Sequence, residues 1–188
     1  MRFWVSISLG LLMSLIAFAQ APAPARSPAV KPRKANELTL AGLRPGRDLL
    51  AQAVRLYGKG QDDGEHITWG KYCVNELLDV EDDNNNKIQV VRASKFDWHG
   101  DCVGGHETGW KTGRGLALEA PSSRVIQLYG EPDSRSPSTK AGRKLELLYY
   151  AFDWAGADVP QVMEVLCTVE DDGKPGRVVE ITLAAPSL

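Results

Sequence analysis

The sequence predicts an α+β fold of two tandem repeats, each a short helix packed on an antiparallel sheet. Three observations predict it. A phrase is written twice, Val54-Arg55-Leu56-Tyr57-Gly58 and Ile126-Gln127-Leu128-Tyr129-Gly130, each copy closing a short amphipathic segment. Each copy is followed by runs rich in β-branched and aromatic residues that read as strands. Each run then crosses an acidic turn, Val80-Glu81-Asp82-Asp83 before Lys87-Ile88-Gln89-Val90-Val91, and Val169-Glu170-Asp171-Asp172 before Arg177-Val178-Val179-Glu180-Ile181. On this reading the repeats occupy residues 37–96 and 115–188, joined by a connecting loop over 97–114.

What precedes them is read as a leader and a tether. Residues 1–19 carry Arg2, an apolar run from Phe3 to Phe18, and Ala17-Phe18-Ala19, a small-x-small cleavage site before Gln20; this is the grammar of a secretory signal peptide. Ser6, Ser8 and Ser14 interrupt the run, which is short for a membrane span. No Cys follows it, so no lipid acceptor is present. The expectation is a secreted or periplasmic chain with no stable membrane anchor after cleavage. In the linker, residues 20–36, Pro22, Pro24, Pro28 and Pro32 forbid a helix and favour an extended tether.

In the first repeat, Pro45 is placed in the first turn of a helix and Asp48 near its positive end. Leu49, Leu50, Ala53, Val54, Leu56 and Tyr57 follow as its buried stripe, and Gly58 ends it. Gln61 to Gly64 reads as a turn. Strands are expected at 66–72, 73–82 and 87–96, with Asp83-Asn84-Asn85-Asn86 as a solvated hairpin. That loop lacks the sixth-position Gly of a calcium loop and has Ala93 where the twelfth-position Glu belongs.

The connecting loop is rich in Gly and holds His99, Cys102, His106 and Glu107, with Trp98 and Trp110 expected to pin it down. In the second repeat, Pro121-Ser122-Ser123 offers a hydroxyl cap, and Val125, Ile126, Leu128 and Tyr129 form the stripe of a helix too short to persist without docking. Asp133 to Gly142 reads as a polar loop. Strands are expected at 144–153, 161–170 and 177–184, and both faces of Leu145 to Phe152 carry large apolar side chains.

With 22 basic and 24 acidic residues the formal charge is −2, which leaves no electrostatic footprint for nucleic acid. No phosphate loop, dinucleotide fingerprint, G-x-S-x-G or H-E-x-x-H occurs, and no cofactor is expected. His99, Cys102 and His106 have spacing that invites a metal, but a structural zinc site wants a fourth ligand. Cys73 starts a strand and Cys102 lies on the loop returning past that sheet, so a Cys73–Cys102 disulfide is expected. Cys167, in the apolar run Val165 to Val169, is expected buried and free.

A helix ending in Leu-Tyr-Gly, a polar loop, a Tyr-rich strand, and two strands across a turn ending in Arg/Lys-Val-Val resembles the repeat of the β-lactamase inhibitory protein. It also resembles the SmpA-type small lipoprotein of the bacterial outer-membrane β-barrel assembly machinery. Val125 to Pro132 and Arg177 to Ile181 carry the likeness in the second repeat; Val54 to Gly58 and Lys87 to Val91 carry it in the first. The lipoprotein's acceptor Cys is missing, and three Cys cannot supply the inhibitor's two intra-repeat disulfides. The resemblance implies a non-enzymatic exported module that presents a sheet face to a protein or envelope component. Its aromatic candidates are Trp69, Tyr72, Trp98, Trp110, Tyr149, Tyr150 and Trp154. The alternative expectations are a small exported enzyme or metal-binding protein using the His99–Glu107 loop, or a purely structural envelope protein.

Overall fold

In the chain the strands join into one sheet. The computed structural model describes residues 36–96, 108–153, 155–156, 158–169 and 176–185. Helix α1 (Leu50–Tyr57) precedes β1 (Gln61–Asp62), β2 (Ile67–Lys71), β3 (Glu76–Asp82) and β4 (Ile88–Lys95). Helix α2 (Ser122–Tyr129) precedes β5 (Ser134–Lys140), β6 (Arg143–Ala151), β7 (Val162–Thr168) and β8 (Val178–Ala184). Every pairing is antiparallel, and the order across the sheet is β1-β2-β3-β4-β8-β7-β6-β5.

This corrects the expectation of two tandem helix-on-sheet repeats. β4 and β8 pair directly, from Val90↔Ala184 to Ser94↔Glu180, so the eight strands form one continuous sheet rather than two. The physical reason is in those strands: Val91, Ala93, Ile181 and Leu183 are all fully buried, and side-by-side pairing covers them while leaving neither strand as an open edge.

Pairing register assigns the faces. Trp69 lies opposite Leu78, Leu78 opposite Ala93, Ala93 opposite Ile181, Ile181 opposite Val165 and Val165 opposite Leu148. These residues share one face, and both helices pack on it: Ala53, Val125 and Tyr129 belong to the same buried cluster, with Leu40, Leu43, Trp110 and Leu116 from the segments beside them. Because side chains alternate along a strand, the opposite face carries Leu77, Asp79 and Glu81 on β3, Val90, Arg92 and Ser94 on β4, and Leu147 and Tyr149 on β6.

Local expectations are corrected at several points. Residues 134–140, expected as a polar loop, form edge strand β5, paired with β6 along its whole length. Ala141 and Gly142, both at positive φ, make the two-residue turn that joins them. Pro137 is tolerated there because an outermost strand has one side without a ladder partner. Pro45 lies in a turn ahead of α1, and Ser122 and Ser123 give no side-chain cap to α2. The first amides of the helices instead find neighbouring main chain: Leu50 N donates to Asn86 O (2.8 Å) and Ser122 N to Gly176 O (2.7 Å). On α1, Leu49, Val54 and Leu56 are exposed, leaving Leu50, Ala53 and Tyr57 to face the core.

Candidate functional site

Two features of the sheet present chemistry: the face opposite the helices, and a cleft at the β2 edge. Neither helix packs on that opposite face, although Ser94, Leu145 and Thr182 on it are buried. At its centre Arg92 on β4 donates to Asp79 Oδ2 (2.8 Å) and Glu81 Oε1 (3.3 Å) on β3, with Glu180 on β8 3.9 Å away. His66 Nδ1 lies 3.1 Å from Asp79 and 3.6 Å from Glu81, and Lys140 pairs with Glu180. Half-buried apolar side chains flank this network: Leu77 and Val90 near it, and Leu147, Tyr149, Val162 and Leu166 on the far strands.

The His66, Asp79 and Glu81 ligand atoms lie within 4.8 Å of one another, a spacing a metal ion would accept. Arg92 already occupies both carboxylates, however, and its fixed positive charge opposes a cation at that point. The cluster reads as an ion-pair network.

The second feature is a cleft of about 630 Å³ along β2, walled by Tyr57, Trp69, Tyr72, Phe96 and Trp110 with Lys59 and Lys71 at its rim. Trp69 meets Tyr57 at 5.9 Å between ring centroids and Tyr57 meets Trp110 edge-on at 6.0 Å. Lys71 Nζ lies 5.0 Å over the Trp110 ring and donates to Thr108 O (2.7 Å). Burial pushes the Tyr57 hydroxyl pKa up against the opposing influence of Trp110 beside it. Trp110 Nε1 itself is the single buried side-chain polar atom without a hydrogen-bond partner among the described residues.

The expected aromatic set divides. Strand alternation cannot place all the candidates on one face, and Trp69 (7 % exposed), Trp110 (5 %) and Tyr150 (0 %) are the core members. Trp69 Nε1 donates to Gly58 O (3.0 Å) and the Tyr150 hydroxyl to Gly130 O (3.0 Å), so each ties a strand to the carbonyl just past a helix. Tyr72 is half exposed and Tyr149 half-buried. Trp98 and Trp154 lie outside the described residues, as do His99, Cys102, His106 and Glu107 and the turn at 170–175. The expected Cys73–Cys102 pairing therefore has one partner outside them, while Cys167 is buried and free. Burial pushes its thiol pKa up to about 12, which removes it as a nucleophile.

Sequence reasoning missed two buried carboxylates. Glu37 (2 % exposed) accepts five donors: Leu38, Thr39 and Gly113 N on Oε1, and Arg114 N and the Tyr129 hydroxyl on Oε2. Glu76 (4 % exposed) accepts Trp110 N at 2.8 Å. Its pKa is raised, first by burial and against the pull of that hydrogen bond and of Lys95 and Lys71. Neither Glu sits in a pattern that distinguishes it from a solvated one.

No family model matches the chain, and no curated protein does. Solved structures that resemble it include a DUF4309 family protein from Bacillus subtilis, with 11% sequence identity over 80% of this chain and 88% of that one at a TM-score of 0.47. Another is a cysteine-rich secretory protein from Staphylococcus aureus, with 10% identity over 74% of this chain and 44% of that one at a TM-score of 0.42.

Proposed function

We propose that this chain is an exported, non-enzymatic binding module that offers the helix-free face of its sheet to a protein or cell-envelope partner. One observation carries the reading: both helices pack on one face of the sheet, and the other keeps a central ion-pair network flanked by apolar side chains. A surface of this composition, charged at fixed positions and apolar around them, suits specific recognition, where complementary charges set register and apolar area supplies affinity. The reading accords with the sheet-presenting role implied by the sequence resemblance. Export is the expectation drawn from residues 1–19; no described helix is long and apolar enough to cross a membrane.

The test is affinity capture from envelope extract with the chain beginning at Gln20, against a Leu147→Asp/Leu166→Asp variant. Both residues lie on the outer face and outside the main buried cluster. A partner retained by the parent and lost by a variant of unchanged melting temperature supports the reading. A partner bound equally by both rejects the face as its site.

A further inference from the structure

We propose that the edge of β2 beyond β1 takes an extended, acidic peptide segment of the partner as an added strand. This rests on the reading that the chain binds a protein, but uses residues other than those of the open face. The two edges of the sheet differ. β5 is long, polar and guarded by Arg135, Pro137 and Lys140, the usual protection against strand addition. At the other edge β1 is only two residues long, pairing Gln61 with Thr68 and Asp62 with Ile67, so β2 runs on past it from Trp69 to Lys71 with no strand outside it among the described residues.

The direction of the free main-chain groups follows from the geometry. A Cβ built on Gly60 would lie 2.8 Å from the Thr68 carbonyl oxygen, so the Thr68 peptide groups face outward, toward β1. In an antiparallel strand the outward-facing residues recur every second position. The N–H and C=O of Gly70 therefore also face outward, where no described strand pairs with them. Gly70 is exposed, with the Tyr72 ring over the side on which its own side chain would stand, and a strand laid beside it gains one donor and one acceptor.

The cleft along this edge sets the chemistry of the occupant. Its lining includes Lys59 and Lys71 and no acidic residue, and neither lysine forms an ion pair among the described residues. Two lysines without an ion-pair partner in the cleft, beside an aromatic wall, call for a segment that alternates carboxylates with apolar side chains. The exposed ring of Tyr72 and the exposed Leu56 border the places such apolar side chains would fill. Strand addition of this kind draws affinity from main-chain bonds and specificity from alternate side-chain pockets.

The test is selection of a random displayed peptide library against the whole exported chain. Expected are peptides that alternate Asp or Glu with apolar residues, and that slow hydrogen exchange of the Gly70 amide when bound. Their affinity should fall about tenfold in Lys59→Glu/Lys71→Glu and fall with rising salt. Lys71 also touches Trp110, so if the double variant loses its fold, Lys59→Glu alone, at an exposed residue, carries the comparison with a fall of about threefold. Leu147→Asp/Leu166→Asp should bind these peptides unchanged, which separates this site from the open face. The proposal is overturned by selected peptides without acidic enrichment, by binding indifferent to the lysine reversals, or by unchanged Gly70 exchange. It is also overturned by a dimer of this chain that the reversals dissociate, since the edge would then serve a second copy.

Discussion

The perturbation that most sharply tests the packing is Glu37→Gln. Five donors converge on this carboxylate at 2.7–3.2 Å, and they come from residues 38–39, from the turn at 113–114 and from α2. The Tyr129 hydroxyl gives its one proton to Glu37, so Thr112 Oγ1, 2.7 Å away, must donate to Tyr129 while accepting from Leu116 N. An amide in place of the carboxylate can accept on only one atom. If its nitrogen faces Arg114 and Tyr129, the Arg114 N–H loses its acceptor, and either the Tyr129 proton or, once the chain reverses, the Thr112 proton loses one too. Two stranded donors in a largely buried site cost about 3 kcal/mol, or about 6–12 °C in melting temperature for a domain of this size. Tyr129→Phe strands only the Thr112 proton and leaves Glu37 four donors, for about 1–2 kcal/mol. Urea unfolding followed by circular dichroism measures both. A Glu37→Gln cost below that of Tyr129→Phe, or below about 1 kcal/mol, would mean that the five donors do not depend on the carboxylate.

Glu76 gives a pH signature. Its folded pKa lies above the unfolded value, so the stability it contributes is fully present below the unfolded carboxylate pKa and is lost as pH rises through the folded one. Glu76→Gln should therefore gain stability relative to the parent between about pH 4 and pH 7, and urea midpoints across that range showing a constant difference would remove the claim. Cys167, with its thiol pushed up to about 12, should resist iodoacetamide at neutral pH in the folded chain. In urea one sulfhydryl per chain should react if Cys73 and Cys102 are bridged; three reacting sulfhydryls would exclude the bridge.

The helices and most strands were legible because their signals are local. Tyr57-Gly58 and Tyr129-Gly130 end α1 and α2 as expected, both glycines at positive φ. β3, β4, β6, β7 and β8 fall within a few residues of their expected spans, since each has one buried face and so an alternating pattern. β5 was illegible for the same reason inverted: six of its seven residues are exposed, so nothing in it alternates, and only its hairpin with β6 makes it a strand. Which aromatic faces which way depends on register, and one residue separates buried Trp69 from exposed Gly70. The open face was half legible. Apolar residues on both sides of Leu145 to Phe152 showed that a second surface existed, but assigning Leu147 and Tyr149 to it required knowing that both helices lie on the other side. The Glu37 clasp depends on residues 76 to 92 positions apart, beyond any spacing argument.

The junction between β4 and β8 decides how the molecule can be cut. An isolated segment 37–96 would leave the outer edge of β4 unpaired, with the N–H and C=O groups that now pair with β8 turned to water and to other chains. Val91 and Ala93, fully buried here, would lose Leu183 and Ile181, their cross-strand partners, while the contacts of residues 113–114 and α2 to Glu37 and Thr39 would vanish as well. Each large aliphatic side chain returned to water costs about 1.5–3 kcal/mol. Losing half the cover of several of them, together with the Glu37 clasp, approaches the 5–15 kcal/mol by which whole domains are stable. Segment 37–96 alone is therefore expected to lack a cooperative unfolding transition, and to self-associate through β4 at high concentration. Differential scanning calorimetry and sedimentation measure the two. A sharp, concentration-independent transition from the isolated segment would mean that each half holds its own core, and that the continuous sheet is an association of two finished domains.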